Sequence, residues 1–250
     1  MIQPDPTITD CGVQCFALLP IAIIPSIIWL SLFVFSAHHR ENFGNIARVF
    51  LWGVFAAIPV LIVELLFFDI FESLQENTVG ILIIGFVGVA FVEESFKYLA
   101  VRYSAVGKSF FNDAQDAVVY MVAAALGFAA IENIGFLFSA PNVGSLVQTV
   151  AFRAVSANFL HAASSAIVGY FLALSIIHRQ KRRKFLYTGL ILATLLHGIY
   201  NNFIINIEQN IFINGDGLAA LFDLILTAIA LIIAGIIVFI AFKHLAKVKI

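Results

Sequence analysis

Charge is scarce in this sequence. Lys, Arg, Asp and Glu together make up 12% of its 250 residues, while 62% are hydrophobic. An average soluble domain is about a quarter charged and about half apolar, so this balance excludes a water-soluble fold. The formal net charge of −1 gives no basic surface for a nucleic-acid partner. Cysteine is nearly absent, at Cys11 and Cys15 only. No CxxC pair and no Cys/His zinc pattern can be built from them, which excludes a disulfide framework and a thiolate metal site. Two small apolar residues on a helix is a better reading of this pair than a local disulfide. Linkers, low-complexity stretches and internal repeats are missing too, so the chain reads as one membrane domain over residues 1–250.

What is present is long apolar runs. Seven can be marked: Cys11–Ala37, Ile46–Phe68, Val79–Val106, Ala114–Phe138, Leu146–Ile177, Phe185–Ile207 and Leu218–Lys243. Each has the roughly 20 residues that a transmembrane helix needs, which predicts an all-α polytopic bundle in a cell membrane. The first run is preceded by Asp5 and Asp10 instead of a basic stretch, and reads as a retained helix and not a cleaved signal peptide. Basic residues alternate between linkers. Arg40, Arg48, Arg102, Lys108, the HRQKRRK loop and Lys243, Lys247 and Lys249 fall on one side. The N-terminus, DIFESLQENT, the stretch around Pro141 and EQNIFINGD contain no Lys or Arg. The excess of positive charge on cytoplasmic loops then predicts an N-terminus outside and a C-terminus in the cytoplasm.

Against so little charge, the polar residues inside the runs are informative. Glu93 and Glu94 sit in VGILIIGFVGVAFVEESFKYLAV, whose only other charge is Lys97. Intramembrane acids are costly and usually functional. Glu93 and Lys97 are four apart and can pair on one helix face, whereas Glu94 points about 100° away and is left unexplained by that pair. Glu132 lies deep in the fourth run among Ala123 to Ala125, Gly127, Ala129 and Ala130, small residues that let a neighbouring helix come close and would bring Glu132 against the third. The fifth run carries Arg153 and a stripe of Asn158, His161 and Ser165. The sixth carries His197 with Asn201 one turn on, and Gly198 for close packing. At 1.5 Å per residue from the cytoplasmic ends, Glu93, Glu94, Glu132, His161 and His197 all lie roughly 18–25 Å deep, so four helices can bring them to one layer.

These residues also carry a family resemblance. EESFK resembles the EExxK motif of the PrsW family of intramembrane proteases, and FAAIEN its FxxxE motif. RAVSANFLHAASSAIVGYF and LHGIYNNF resemble its two later histidine motifs, in the same order, over about Phe91 to Asn202. The related CAAX prenyl endopeptidases and bacteriocin-processing enzymes follow EExxxR, FxxxH and HxxxN. Lys97 comes one residue earlier than that Arg, and Glu132 stands where that pattern has His, so PrsW is the better match. The resemblance implies an intramembrane endopeptidase with a catalytic core at about 79–207, acting on a membrane-anchored protein such as an anti-sigma factor.

Two chemistries suit Glu93, Glu94, Glu132, His161, His197 and Asn201. In one, Glu132, His161 and His197 hold zinc, and Glu93 or Glu94 is the general base. In the other there is no metal: a glutamate paired with a histidine activates water, and Asn201 with a histidine stabilises the oxyanion. The rival readings are a prenyl-protein endopeptidase of the CAAX type and an ion or proton transporter or channel. The transporter would spread its acids along a path or show inverted repeats.

Overall fold

The computed structural model describes residues 12–36, 41–70, 78–139, 143–212, 214–246 and 248. Seven of its helices are long and apolar enough to cross a bilayer, and no β-strand occurs among the described residues. They are α1 (Gly12–Ser36), α2 (Phe43–Ile70), α3, α4 (Ala114–Ser139), α5 (Val143–Ile177), α6 (Arg182–Phe212) and α7 (Gly217–Leu245). α3 is continuous but built in three pieces: Thr78–Ile83, a π-helical Ile84–Phe91, and Val92–Ser104. Each expected run corresponds to one of these helices. Cys11 lies outside the described residues, and the side chain of Cys15 is not described.

The ends differ from expectation where polar residues continue a helix. HRQKRRK is not all loop: Arg179–Lys181 make one 3₁₀ turn, and α6 begins at Arg182. Arg and Lys are good helix formers, and an apolar-run criterion overlooks them. α3 ends at Ser104, and Gly107 follows in a turn with φ +82°, a conformation that a side chain would disfavour.

α4 and α5 form the centre. Two-thirds of their apolar windows are buried, against 11% for α1 and 17% for α7, whose Ile24, Phe35, Ile232 and Phe239 remain exposed as lipid-facing surface. Small residues set the packing, although the closest approach of α4 is to α2, not to α3. A Cβ on Gly53 would fall 1.9 Å from the Ala124 carbonyl oxygen, and one on Gly127 would fall 2.0 Å from that of Phe50. A Cβ on Gly169 of α5 would meet Val118 Cα of α4 at 2.6 Å. Backbones this close need small residues on both faces, which α4 supplies. With α4 held between α2 and α5, Phe128 faces Lys97 of α3 and His161 of α5, and Glu132 and Asn133 meet polar residues of α5.

Candidate active site

Three charged groups of α3 come together first. Lys97 Nζ donates to Glu93 Oε2 at 2.9 Å, four residues back, and to Glu94 Oε1 at 2.9 Å, three residues back. The ammonium therefore accounts for both carboxylates, where the sequence left Glu94 without a partner. All three side chains are essentially shut away from solvent, at 0–3% exposure. Lys97 Nζ also lies 2.8 Å from His161 Nδ1 and 4.5 Å from the centroid of the Phe128 ring.

Glu94 is saturated. Ser164 Oγ donates to its Oε1 at 3.0 Å and Ser165 Oγ to its Oε2 at 2.8 Å. His197 Nδ1 lies 3.0 Å from Oε1. An ionised carboxylate only accepts, so this contact places the His197 proton on Nδ1 and leaves Nε2 with its lone pair. That nitrogen faces Glu93 Oε2 at 3.8 Å. The same logic applies to His161, whose Nδ1 takes a hydrogen bond from the Lys97 ammonium, so its other nitrogen carries the proton. His161 Nδ1 is 3.8 Å from Glu93 Oε2, and its Nε2 is 2.6 Å from Glu132 Oε2. Glu132 and His161 are thus in direct contact, with Arg153 on the same carboxylate oxygen. The two imidazoles meet edge to face, centroids 5.0 Å apart.

Glu93, Glu94, Glu132, His161 and His197 thus converge from α3, α4, α5 and α6. Asn201, half-buried one turn beyond His197, shows no bond to the group among the described residues. Within the α5 stripe, His161 and Ser165 face α3, but Asn158 turns to α1 and α4. Its Oδ1 accepts from Ser26 Oγ at 3.3 Å and from Asn133 Nδ2 at 3.1 Å. Arg153, which sequence reasoning left without a role, donates from Nε to Asn133 Oδ1 at 2.9 Å and brings Nη2 to 3.6 Å from Glu132 Oε2. Glu64 of α2 escaped notice altogether, yet it faces Glu93, Glu132 and Lys97 electrostatically. Its signal was available: it is the only charge between Arg48 and Asp69. Ser164 carried no such signal, because a buried serine in an apolar run is unremarkable.

A metal can be tested against the donors present. Glu93, His161 and His197 are all buried and each offers a ligand atom within 4.8 Å of the other two. Two imidazoles and one carboxylate suit catalytic zinc, and a carboxylate on the far nitrogen of a ligating histidine, as Glu94 is on His197, orients it. The donor set fits. Its carboxylate is Glu93, where the sequence pointed to Glu132; Glu132 touches His161 on the other ring nitrogen.

A polytopic helical bundle enclosing an acid–histidine centre in its spanning region defines an integral membrane protein built for chemistry within the bilayer. Comparison with known proteins says which kind. Residues 41–242 match the family described as PrsW family intramembrane metalloprotease, so the chain belongs to the PrsW family and is an intramembrane peptidase. It is 31% identical over 173 residues to Protease PrsW of Clostridioides difficile (strain 630), covering 68% of this chain and 70% of that one. Protease PrsW of Halalkalibacterium halodurans is 30% identical over 187 residues, 74% and 82% of the two chains. That of Bacillus subtilis (strain 168) is 29% identical over 190 residues, again 74% and 82%. No solved structure matches.

Proposed function

We propose that this chain is an endopeptidase that hydrolyses a peptide bond in a membrane-anchored protein, an anti-sigma factor being the substrate class its family suggests. The observation that carries the reading is the convergence of three acids and two histidines from four helices, enclosed by apolar packing. A buried scaffold would need Glu93, Glu94 and Lys97 only as an ion pair. It would not need two histidines with defined tautomers on either side of Glu93.

The roles divide by accessibility and bonding. Glu94, fully enclosed with Lys97, Ser164, Ser165 and His197 on its two oxygens, is a positioning residue for His197. Glu132 is 26% exposed, far more open than Glu93 or Glu94, and its Oε2 is paired with His161. Water reaches Glu132 first, and Glu132 takes its proton, with His161 holding the carboxylate in place. Glu93 Oε2, His161 and His197 Nε2 would hold a divalent ion of the zinc type. When bound, that ion supplies Lewis-acid polarisation of the substrate carbonyl. Asn201, one turn beyond His197, would donate to the developing oxyanion.

One observation favours the metal-free alternative. Lys97 Nζ already bonds to Glu93 Oε2 and His161 Nδ1, two of the three groups a metal would use. There the ammonium supplies the positive charge, and the Glu132–His161 pair works alone. Metal analysis of the purified protein separates the two. The metal reading expects one zinc per chain and reversible inhibition by 1,10-phenanthroline, with bound metal lost in His161→Ala and His197→Ala and retained in Glu132→Gln. A metal-free preparation with full activity leaves the glutamate–histidine mechanism standing.

A further inference from the structure

Hydrolysis within a membrane poses a problem that the catalytic cluster does not solve. A substrate segment that enters as a helix shields its own carbonyl carbons, so a few residues must unwind before water can attack. Each unwound residue exposes an N–H and a C=O, and the hydrocarbon region has no water to satisfy them. Unpaired backbone groups are strongly unfavourable there. An enzyme of this kind needs spare hydrogen-bonding groups beside the reacting atoms.

Two side chains outside the cluster have such groups to spare. Packing fixes the orientation of Glu64. Ala57 and Val60 of α2 pack on Phe128 and Ile131 of α4 and on Val92 and Phe96 of α3. Further along, Phe67 lies where a Cβ on Gly88 would meet its ring at 2.6 Å. Glu64 is one turn after Val60 and one turn before Phe67, hence on the same face. Its Oε1 is buried with no hydrogen-bond partner. Arg153 is held on two sides, by Asn133 Oδ1 on its Nε and by the Phe136 ring, 3.8 Å from the guanidinium carbon to the centroid. Its Nη2 is buried and ion-paired to Glu132 Oε2 at 3.6 Å, too long for a full hydrogen bond, so its donor capacity is not used up. Arg153 borders Glu132, the most open of the catalytic acids, and Glu64 faces the same carboxylate electrostatically, so both stand beside the cluster without belonging to it.

From this spare bonding capacity we propose that Glu64 and Arg153 form a backbone-binding subsite for an unwound peptide segment. Glu64 Oε1 accepts an N–H of the substrate, and Arg153 Nη2 donates to one of its carbonyl oxygens next to the scissile bond. The subsite rests on the peptidase reading and adds the form in which substrate is held: extended, and recognised through its main chain.

The test is a backbone ester scan in vesicles holding the full-length enzyme. Single-span peptide substrates carry one ester in place of one amide at each of the positions flanking the scissile bond. An ester removes the N–H without changing the side chain. Wild-type enzyme should lose about tenfold in kcat/KM at one of these positions, the size of effect expected for one hydrogen bond. Glu64→Leu should cleave the all-amide substrate about tenfold more slowly and be indifferent to that ester. Glu64→Gln keeps an acceptor oxygen and should recover most of that loss. In parallel, Arg153→Met should raise KM more than Arg153→Lys does. Wild-type enzyme indifferent to every ester overturns the proposal even if Glu64→Leu fails to fold. So does an equal ester penalty in wild type and Glu64→Leu. A Glu64→Gln variant as inactive as Glu64→Leu would make Glu64 a proton-handling group and likewise overturn it. Absence of amide cleavage by wild type is a distinct outcome, the failure of the peptidase reading itself.

Discussion

Glu93 and Glu94 are neighbours in sequence and differ in almost everything else. Glu94 accepts from an ammonium, two serine hydroxyls and an imidazole; Glu93 shares Lys97 and otherwise faces two histidines at 3.8 Å. The difference predicts different phenotypes. Glu94→Gln keeps the shape but replaces an accepting oxygen with a donating amide against Ser165 or His197, so it should lower both thermal stability in detergent and turnover. Lys97→Met should be harsher, since it leaves two buried carboxylates without their cation, a loss of about 3–5 kcal/mol. Thermal unfolding of the two variants beside wild type checks the order; a Lys97→Met variant as stable as wild type would mean that the carboxylates are neutral in the native protein. Much of this centre was legible in the sequence, because ionisable residues in apolar runs are rare enough to stand out one by one. The bonds among them were not. Whether Lys97 reaches one glutamate or both depends on rotamers, and Ser164 has no anomalous context to betray it.

At the scale of elements, glycine and alanine decide how near the helices come, and so whether residues on four of them can touch. Gly53 and Gly127 lie against backbone atoms of the partner helix, which cannot yield as a side chain can. Gly53→Val should therefore destabilise at or above the upper end of the ~1–3 kcal/mol usual for overpacking. Gly85→Ala, at a position with nothing within 4 Å, should be tolerated. Equal melting temperatures for the two variants would contradict the α2–α4 packing. The composition of α4 showed that some helix must approach closely, but not which one, since Ala- and Gly-rich faces fit α2, α3 and α5 alike. The π-helical Ile84–Phe91 was equally hidden. Nothing in IGFVGVAF marks a change of hydrogen-bond period, yet it sets the rotation at which Glu93 and Glu94 leave α3, two and three residues later.

For the whole molecule, seven spans follow from hydropathy alone, because a length of apolar chain is all that the bilayer demands. Orientation is a separate matter, carried by the linkers. The turn that joins α5 to α6 and the first turn of α6 carry Arg179, Lys181, Arg182, Arg183 and Lys184, all exposed. A single cysteine at position 181 should be labelled by a membrane-impermeant reagent only after the inner face is opened, and one at position 214 in intact cells. Labelling at 181 from outside would invert the topology.

The central claim is that this enclosed group of acids and histidines hydrolyses peptide bonds in the membrane, and turnover by Glu132→Gln tests it most directly. Wild type and variant, matched for thermal unfolding in detergent, are reconstituted into vesicles with a single-span substrate, and the cleavage product is measured. The account predicts a product band from wild type and a loss of at least about 10³-fold in the variant, in the range seen when a group that acts on the transition state is removed. Near wild-type cleavage by a folded Glu132→Gln enzyme would contradict it.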